Sequence, residues 1–262
     1  MPTLATATCS LHYRDSGGPG PAVIFLHGWC DGSESWDETI AHFSGSFRCL
    51  APDMRGHGLS GQPRDHAYFL EALSNDVVAV CTAAGVEHPA LVGHSFGGLL
   101  AATVAARFPG FARAVVIEDQ ALDLRGQAGA LRALGDVIFG AETHMAFRNG
   151  LFDSMVTGDM PAAGRDRIAR LKSATPVEVG QALWAPFFNA TDGELGVLAA
   201  RLVAALAEQP SLIIESQALP EYHAAVRAAA PAAQIEIVPS GHWIHLEQRQ
   251  RFRALVAAAI AV

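Results

Sequence analysis

Ala90-Leu91-Val92-Gly93-His94-Ser95-Phe96-Gly97-Gly98 is the stretch whose reading decides the fold. Three apolar residues, Ala90 to Val92, run straight into Gly-x-Ser-x-Gly, and the alanine-rich segment Leu99 to Arg107 continues with helical character. A strand, a sharp turn and a helix follow one another here. Such a turn holds the serine backbone in a strained conformation and presents its hydroxyl beyond the end of a sheet. Gly93 and Gly97 meet a steric demand, because a Cβ at either place collides with the neighbouring strand or helix. The amide of Phe96 then opens a helix, where negative charge is favoured.

Upstream, residues Ala5 to Tyr13 alternate loosely and end in the turn cluster Asp15 to Gly20. Ala22 to Leu26 is a continuous apolar run, the pattern of a strand buried on both faces, and it ends in His27-Gly28-Trp29. A helical stretch around Ser35 to Phe43 precedes the strand Arg48 to Ala51, which leads into Asp53-Met54-Arg55-Gly56-His57-Gly58-Leu59-Ser60. Leu70 to Ala84 carries apolar residues at helical spacing, and Ala114 to Ile117 reads as a further strand. Strands alternating with helices indicate a mostly parallel sheet covered on both faces.

From about Gln120 to Ala207 the alternation stops. Ala130–Phe139, Ala141–Phe152 and Arg165–Lys172 read as helices with no good strand between them. The simplest organisation is a core of 1–119 and 208–262 with an inserted helical cap, 120–207. Strand character returns at Ser211 to Glu215 and at Gln234 to Val238, the latter followed by Gly241-His242-Trp243. The apolar run Ala254 to Val262 reads as a buried terminal helix.

The chain of 262 residues, half of them hydrophobic, suffices for one large α/β domain with an insertion. Its formal charge of −8 is dispersed and contains no basic stripe, so nucleic acid is not an expected partner. Residues 1–10 lack a basic segment followed by an apolar run, and no stretch is apolar for the length of a membrane span. A cytoplasmic protein without a membrane partner is expected. Cys9, Cys30, Cys49 and Cys81 show no metal-ligand spacing and read as reduced thiols. With no metal cluster and no nucleotide-binding glycine loop, no cofactor is expected.

Four pieces, His27-Gly28-Trp29, Asp53-x-Arg-Gly-His-Gly-x-Ser60, Gly93-His-Ser-Phe-Gly97 and Gly241-His-Trp-Ile-His-Leu-Glu247, stand in a telling order. By them the chain resembles the α/β-hydrolase superfamily over essentially its full length. The resemblance implies an α/β-hydrolase fold with Ser95 as nucleophile, His242 as base and the amides of Trp29 and Phe96 as oxyanion hole. The pairing makes chemical sense, since a serine hydroxyl is a weak nucleophile until an imidazole can take its proton. His27, His57 and Asp53 read as loop architecture, and His245 as structural, with the role of base as its alternative.

The triad acid departs from the commonest pattern of the superfamily, an aspartate soon after the strand that here is Leu212 to Ile214. That window reads Glu215-Ser216-Gln217-Ala218-Leu219-Pro220-Glu221, without an aspartate. The other location known in the superfamily holds Glu118-Asp119. Asp119 is the reading adopted, with Glu118 and Glu215 as alternatives. Side chains alternate along a strand, so Glu118 and Asp119 should point to opposite faces.

A narrower resemblance, to the cofactor-free 3-hydroxy-4-quinolone 2,4-dioxygenases of the same fold, rests on several further pieces. They are Gly28-Trp29-Cys30-Asp31, Gly150-Leu151-Phe152-Asp153, Ser216-Gln217, Pro220-Glu221-Tyr222 and the acid Asp119. It implies a His242/Asp119 dyad that deprotonates a substrate hydroxyl. Three positions depart from that family: Phe96 replaces a histidine, His27 a proline and Met155 a cap tryptophan.

The expected activity is therefore that of a serine hydrolase on a small, largely apolar ester or amide, with the dioxygenase as alternative. Trp29, Phe139, Phe152, Met155, Trp184, Phe187 and Phe188 are the expected substrate-binding residues, several of them equally suited to packing within the cap. A small molecule is the expected partner, and the chain a monomer or homodimer.

Overall fold

The computed structural model describes residues 2–261, so Met1 and Val262, the last residue of the expected terminal helix, lie outside it. Eight strands form one sheet: β1 (Thr3–Ala5), β2 (Ser10–Asp15), β3 (Ala22–Leu26), β4 (Arg48–Pro52), β5 (Ala90–His94), β6 (Ala114–Glu118), β7 (Ser211–Glu215) and β8 (Gln234–Ile237). Their spatial order is β1-β2-β4-β3-β5-β6-β7-β8. The pairs β1–β2 and β2–β4 are antiparallel and all others parallel. This is the α/β-hydrolase fold.

The helices are α1 (Asp37–Phe43), α2 (Leu70–Ala83), α3 (Phe96–Arg107), α4 (Arg125–Ala133), α5 (Gly135–Phe139), α6 (His144–Met155), α7 (Ala162–Ala174), α8 (Val177–Asn189), α9 (Asp192–Ala205), α10 (Pro220–Ala229), α11 (Ile244–Glu247) and α12 (Arg249–Ile260). None among the described residues is long and apolar enough to cross a membrane. Between β6 and β7 the chain passes only through α4 to α9.

Two details differ from the sequence reading. The loosely alternating N-terminal stretch is a hairpin, β1 and β2, because the Thr6 hydroxyl accepts the Cys9 amide at 3.1 Å and turns the chain back. The segment expected as one helix over 130–139 is two, broken at Leu134, whose φ of −108° lies outside helical geometry.

The strand period of two sorts the core. Val23, Phe25, Ala114, Val116, Leu212 and Ile214 face α1 and α12, packing with Trp36, Phe43, Phe252 and Val256. Ile24, Leu26, Val115, Ile117 and Ile213 face the opposite core, with α2, α3 and α9. Continuing the alternation to the strand ends puts Glu118 on the α1/α12 side. Glu215 continues the other face, and Asp119 directly follows β6. This sorting positions the chemistry.

Candidate active site

The turn after β5 holds Ser95 at φ 51°, ψ −125°, a conformation a side chain adopts only under constraint. The constraint is visible. Ser95 N donates to Glu118 O at 2.8 Å, while Gly98 N and Leu99 N donate back to Ser95 O at 2.7 and 3.2 Å. A Cβ on Gly97 would overlap the Leu26 and His27 carbonyl oxygens, and one on Gly93 would overlap Gly97 O. Both glycines are thus required by close approach.

The loop after β3 packs on this turn. A Cβ on Gly28 would stand 3.3 Å from Ser95 Cβ. His27 bridges below it: one ring nitrogen lies 2.8 Å from Gly28 O, and the other accepts the Met54 amide at 2.9 Å. The rings of His27 and His57 lie 5.2 Å apart, and burial drives the His57 pKa down to about 3. Asp53 accepts the Ser33 and Leu59 amides and faces His12 at 2.9 Å. These are loop-holding contacts. Among the described residues, neither the Trp29 nor the Phe96 amide donates a hydrogen bond, so both donors remain available at the turn.

His242 stands over the turn: its carbonyl oxygen lies 3.0 Å from His94 Nε2, and the two rings are 4.6 Å apart. Its Nδ1 lies 2.6 Å from Asp119 Oδ2, and the other Asp119 oxygen accepts the Ser216 amide at 2.7 Å. Burial opposes ionisation of Asp119, yet the hydrogen bond and charge of His242, with the Ser216 contacts, hold its pKa below the ordinary value. Asp119 also sits at φ 50°, the second strained residue of the site. Neither Ser95 Oγ nor His242 Nε2 has a hydrogen-bond partner among the described residues. Such contacts often tighten only around bound substrate.

The two alternative acids are engaged elsewhere. Glu118 is fully buried on the α1/α12 side, 2.9 Å from His245 Nδ1 and 2.7 Å from the His245 amide. His245 stacks on Trp36 at 4.2 Å, so it lies on that same side. Glu215, with 2 % exposure, makes no hydrogen bond to an imidazole among the described residues; its neighbour is Asp119. Burial, the Asp119 charge and a hydrogen bond to Asp119 push its pKa up to about 8.

An arc of aromatic ring contacts leads from Phe96, the residue after Ser95, to His242. It runs from Phe96 to Phe187 (6.2 Å), Trp184 (6.2 Å), Trp29 (5.8 Å), Phe152 (5.8 Å), Trp243 (5.3 Å) and His242 (5.3 Å). The Trp29 indole is fixed by donating to Gly180 O at 2.8 Å. Met155 contributes its carbonyl oxygen, which accepts the His242 amide at 2.9 Å. Phe139 and Phe188 stand apart from this arc. They pack on each other at 4.8 Å and line an open groove of about 680 Å³ with Arg132, Leu134 and Val137.

Several residues that hold the site carry little sequence signal. Buried Arg148 on α6 ties that helix to the loop beyond Trp29, donating to Thr175 O at 2.9 Å and Cys30 Sγ at 3.4 Å. Glu247 accepts the Gly241 amide at 2.7 Å and the Thr157 hydroxyl, fastening the histidine loop to the segment after α6. That Gly241 and Glu247 share one short motif is the only trace of this contact in the sequence.

The family model described as "alpha/beta hydrolase fold" matches residues 21–136. The 2-(acetamidomethylene)succinate hydrolase of Mesorhizobium japonicum is 33% identical over 147 residues, covering 53% of this chain and 52% of its own length. The chain thus spans about half the length of that relative. Among solved structures, the enol-lactonase from Burkholderia xenovorans LB400 superposes with TM-score 0.80 at 20% identity, covering 100% of both chains. A structure of an enzyme that recognises and ring-cleaves the Pseudomonas quinolone signal, with its product, gives TM-score 0.80 at 21% identity, again over 100% of both chains. The likeness to the α/β-hydrolase superfamily therefore holds in fold over the whole chain and in sequence over its first half.

Proposed function

We propose that this protein is a serine hydrolase acting on a small, largely apolar ester or amide. The reading is supported by three features together: strained Ser95, the Trp29 and Phe96 amides that donate no hydrogen bond among the described residues, and His242 with its Nδ1 2.6 Å from Asp119. Hydrolase relatives support the class. His242 Nε2 takes the Ser95 proton as Oγ bonds to the carbonyl carbon. The oxygen gains negative charge and is met by the Trp29 and Phe96 amides, the arrangement that supplies the largest single catalytic contribution in many enzymes. Collapse of the tetrahedral adduct breaks the bond to the leaving alcohol or amine, which departs with the proton held by His242. Water then attacks the acyl-enzyme, giving its proton to His242, and the second adduct breaks the bond to Ser95 Oγ, which takes that proton back as the acid product leaves. Asp119 stabilises imidazolium in both halves. The aromatic arc suits an acyl or ring group of apolar surface.

Two observations favour cofactor-free ring cleavage as the second reading: the acid follows β6, and a ring-cleaving enzyme shares the fold over its full length. Against it stands Phe96, an apolar residue where the resembling dioxygenases carry histidine. The test separates the two. Short acyl esters should turn over under argon at the rate seen in air, with no oxygen uptake from a 3-hydroxy-4-quinolone. Oxygen uptake with carbon monoxide release, and no ester cleavage, would overturn the hydrolase.

A further inference from the structure

Two carboxyl groups meet where β6 and β7 end: Asp119 directly follows β6, and Glu215 is the last residue of β7. The β6–β7 register ends with Glu118 opposite Ile214, the residues just before Asp119 and Glu215, and the two carboxyl groups are neighbours. Asp119 N donates to Ile214 O at 2.7 Å, and Val238 N to Glu215 O at 2.8 Å, which fixes both backbones. Glu215 is buried, lies within hydrogen-bond reach of Asp119, and has one carboxyl oxygen, Oε1, without a partner among the described residues.

The groups around it offer no counter-charge. Asp119 faces it from the end of β6, and the Tyr222 phenol from α10 is itself pushed up by burial and the Glu215 charge. Asp123, in the segment after β6, adds a further negative charge near Tyr222 but is paired with Arg125. On β8, Glu236 is turned to Arg251 at 2.9 Å. His242 commits Nδ1 to Asp119, and no Lys or Arg among the described residues bonds to either carboxyl of the pair. Two adjacent carboxylates cannot both ionise in such surroundings without a large energetic cost, so one keeps its proton. Asp119 has the imidazole and the Ser216 amide to satisfy an anion; Glu215 has neither.

We propose that Glu215 is a positioning residue that stands as a neutral acid and donates a hydrogen bond to Asp119, holding that carboxylate ionised and aimed at His242. This rests on Asp119 orienting His242, and is common to both chemistries considered above. Loss of the Glu215 proton would set a second negative charge against Asp119 and remove one of its donors, so the dyad loses its alignment as the solution turns alkaline. The proton goes to solvent; no bond between heavy atoms changes.

The test has two arms, one independent of turnover. Infrared spectra of the parent below neutrality should show a protonated-carboxyl stretch that vanishes on titration through about 8 and is missing from Glu215→Gln. In the kinetic arm, kcat of the parent on a short acyl ester should fall along one ionisation near that pH. Glu215→Leu should lower kcat about ten- to a hundredfold with little change in KM, as losing a supporting partner commonly does. Glu215→Gln, which donates but cannot ionise, should recover most of that loss and lack the alkaline fall. Absence of the carboxyl stretch, or a Gln variant no better than Leu and with the fall intact, overturns the proposal. If Leu fails to fold, Gln and the spectra decide. If no ester is cleaved at all, the infrared arm still reads the Glu215 proton, separating this proposal from the hydrolase reading.

Discussion

At the scale of single residues, the chemistry depends on which of two consecutive acids faces the histidine. The period of a strand predicts that they part, and they do meet different partners: Asp119 meets His242, Glu118 meets His245. Asp119→Asn keeps the shape but removes the charge that stabilises imidazolium, and should lower kcat by about 10⁴. Glu118→Gln strikes a different pair, His245 in a dry core. It should cost about 1–3 kcal/mol in urea unfolding, the penalty of a buried group left partly unpaired, while kcat stays within about tenfold. Steady-state kinetics beside equilibrium unfolding distinguishes the two, and a reversed pattern would exchange their roles. The partnership of Glu215 with Asp119 was not legible in the sequence. It arises from the register of two strands with the whole cap between them, and no local spacing records that.

At the scale of elements, the site is a meeting of strand ends with the helices that lie between β6 and β7 in the chain. The β5 turn and α3 were legible because steric demand at Gly93 and Gly97 writes itself into residue type. The later cap helices were less so: α8 contains Pro186, which breaks the usual helical signal, although the Thr191–Glu194 capping box does announce α9. Aromatic residues in the cap gave bulk but no direction. Only the fold separates Phe152, Trp184 and Phe187 in the arc from Phe139 and Phe188 on the outer groove. The link between cap and histidine loop makes its own prediction. Glu247→Ala frees the Gly241 amide and the Thr157 hydroxyl together, loosening the loop that carries His242. It should reduce kcat/KM about ten- to a hundredfold, and near-parent kinetics would show that the loop holds itself.

At the scale of the whole molecule, the buried acids make stability depend on pH in opposite directions. The Glu215 pKa is raised from 4.5 to about 8 on folding. Between those values the native state binds more protons than the unfolded chain, so this contribution is fully present below 4.5 and is lost as pH rises through about 8. The Asp119 pKa is lowered from 3.8, so its contribution is present above that value and lost as pH falls through the native pKa. Urea midpoints for the parent should therefore decline from mildly acidic towards alkaline solution, and Glu215→Gln should flatten that decline. An unchanged slope in the variant would mean that another group sets it. The role of Ser95 as nucleophile is tested most directly by the kcat of Ser95→Ala on the acyl ester that the parent cleaves fastest. The acyl-enzyme account predicts a fall of about 10⁶; a variant that keeps a tenth of the parent rate would contradict it.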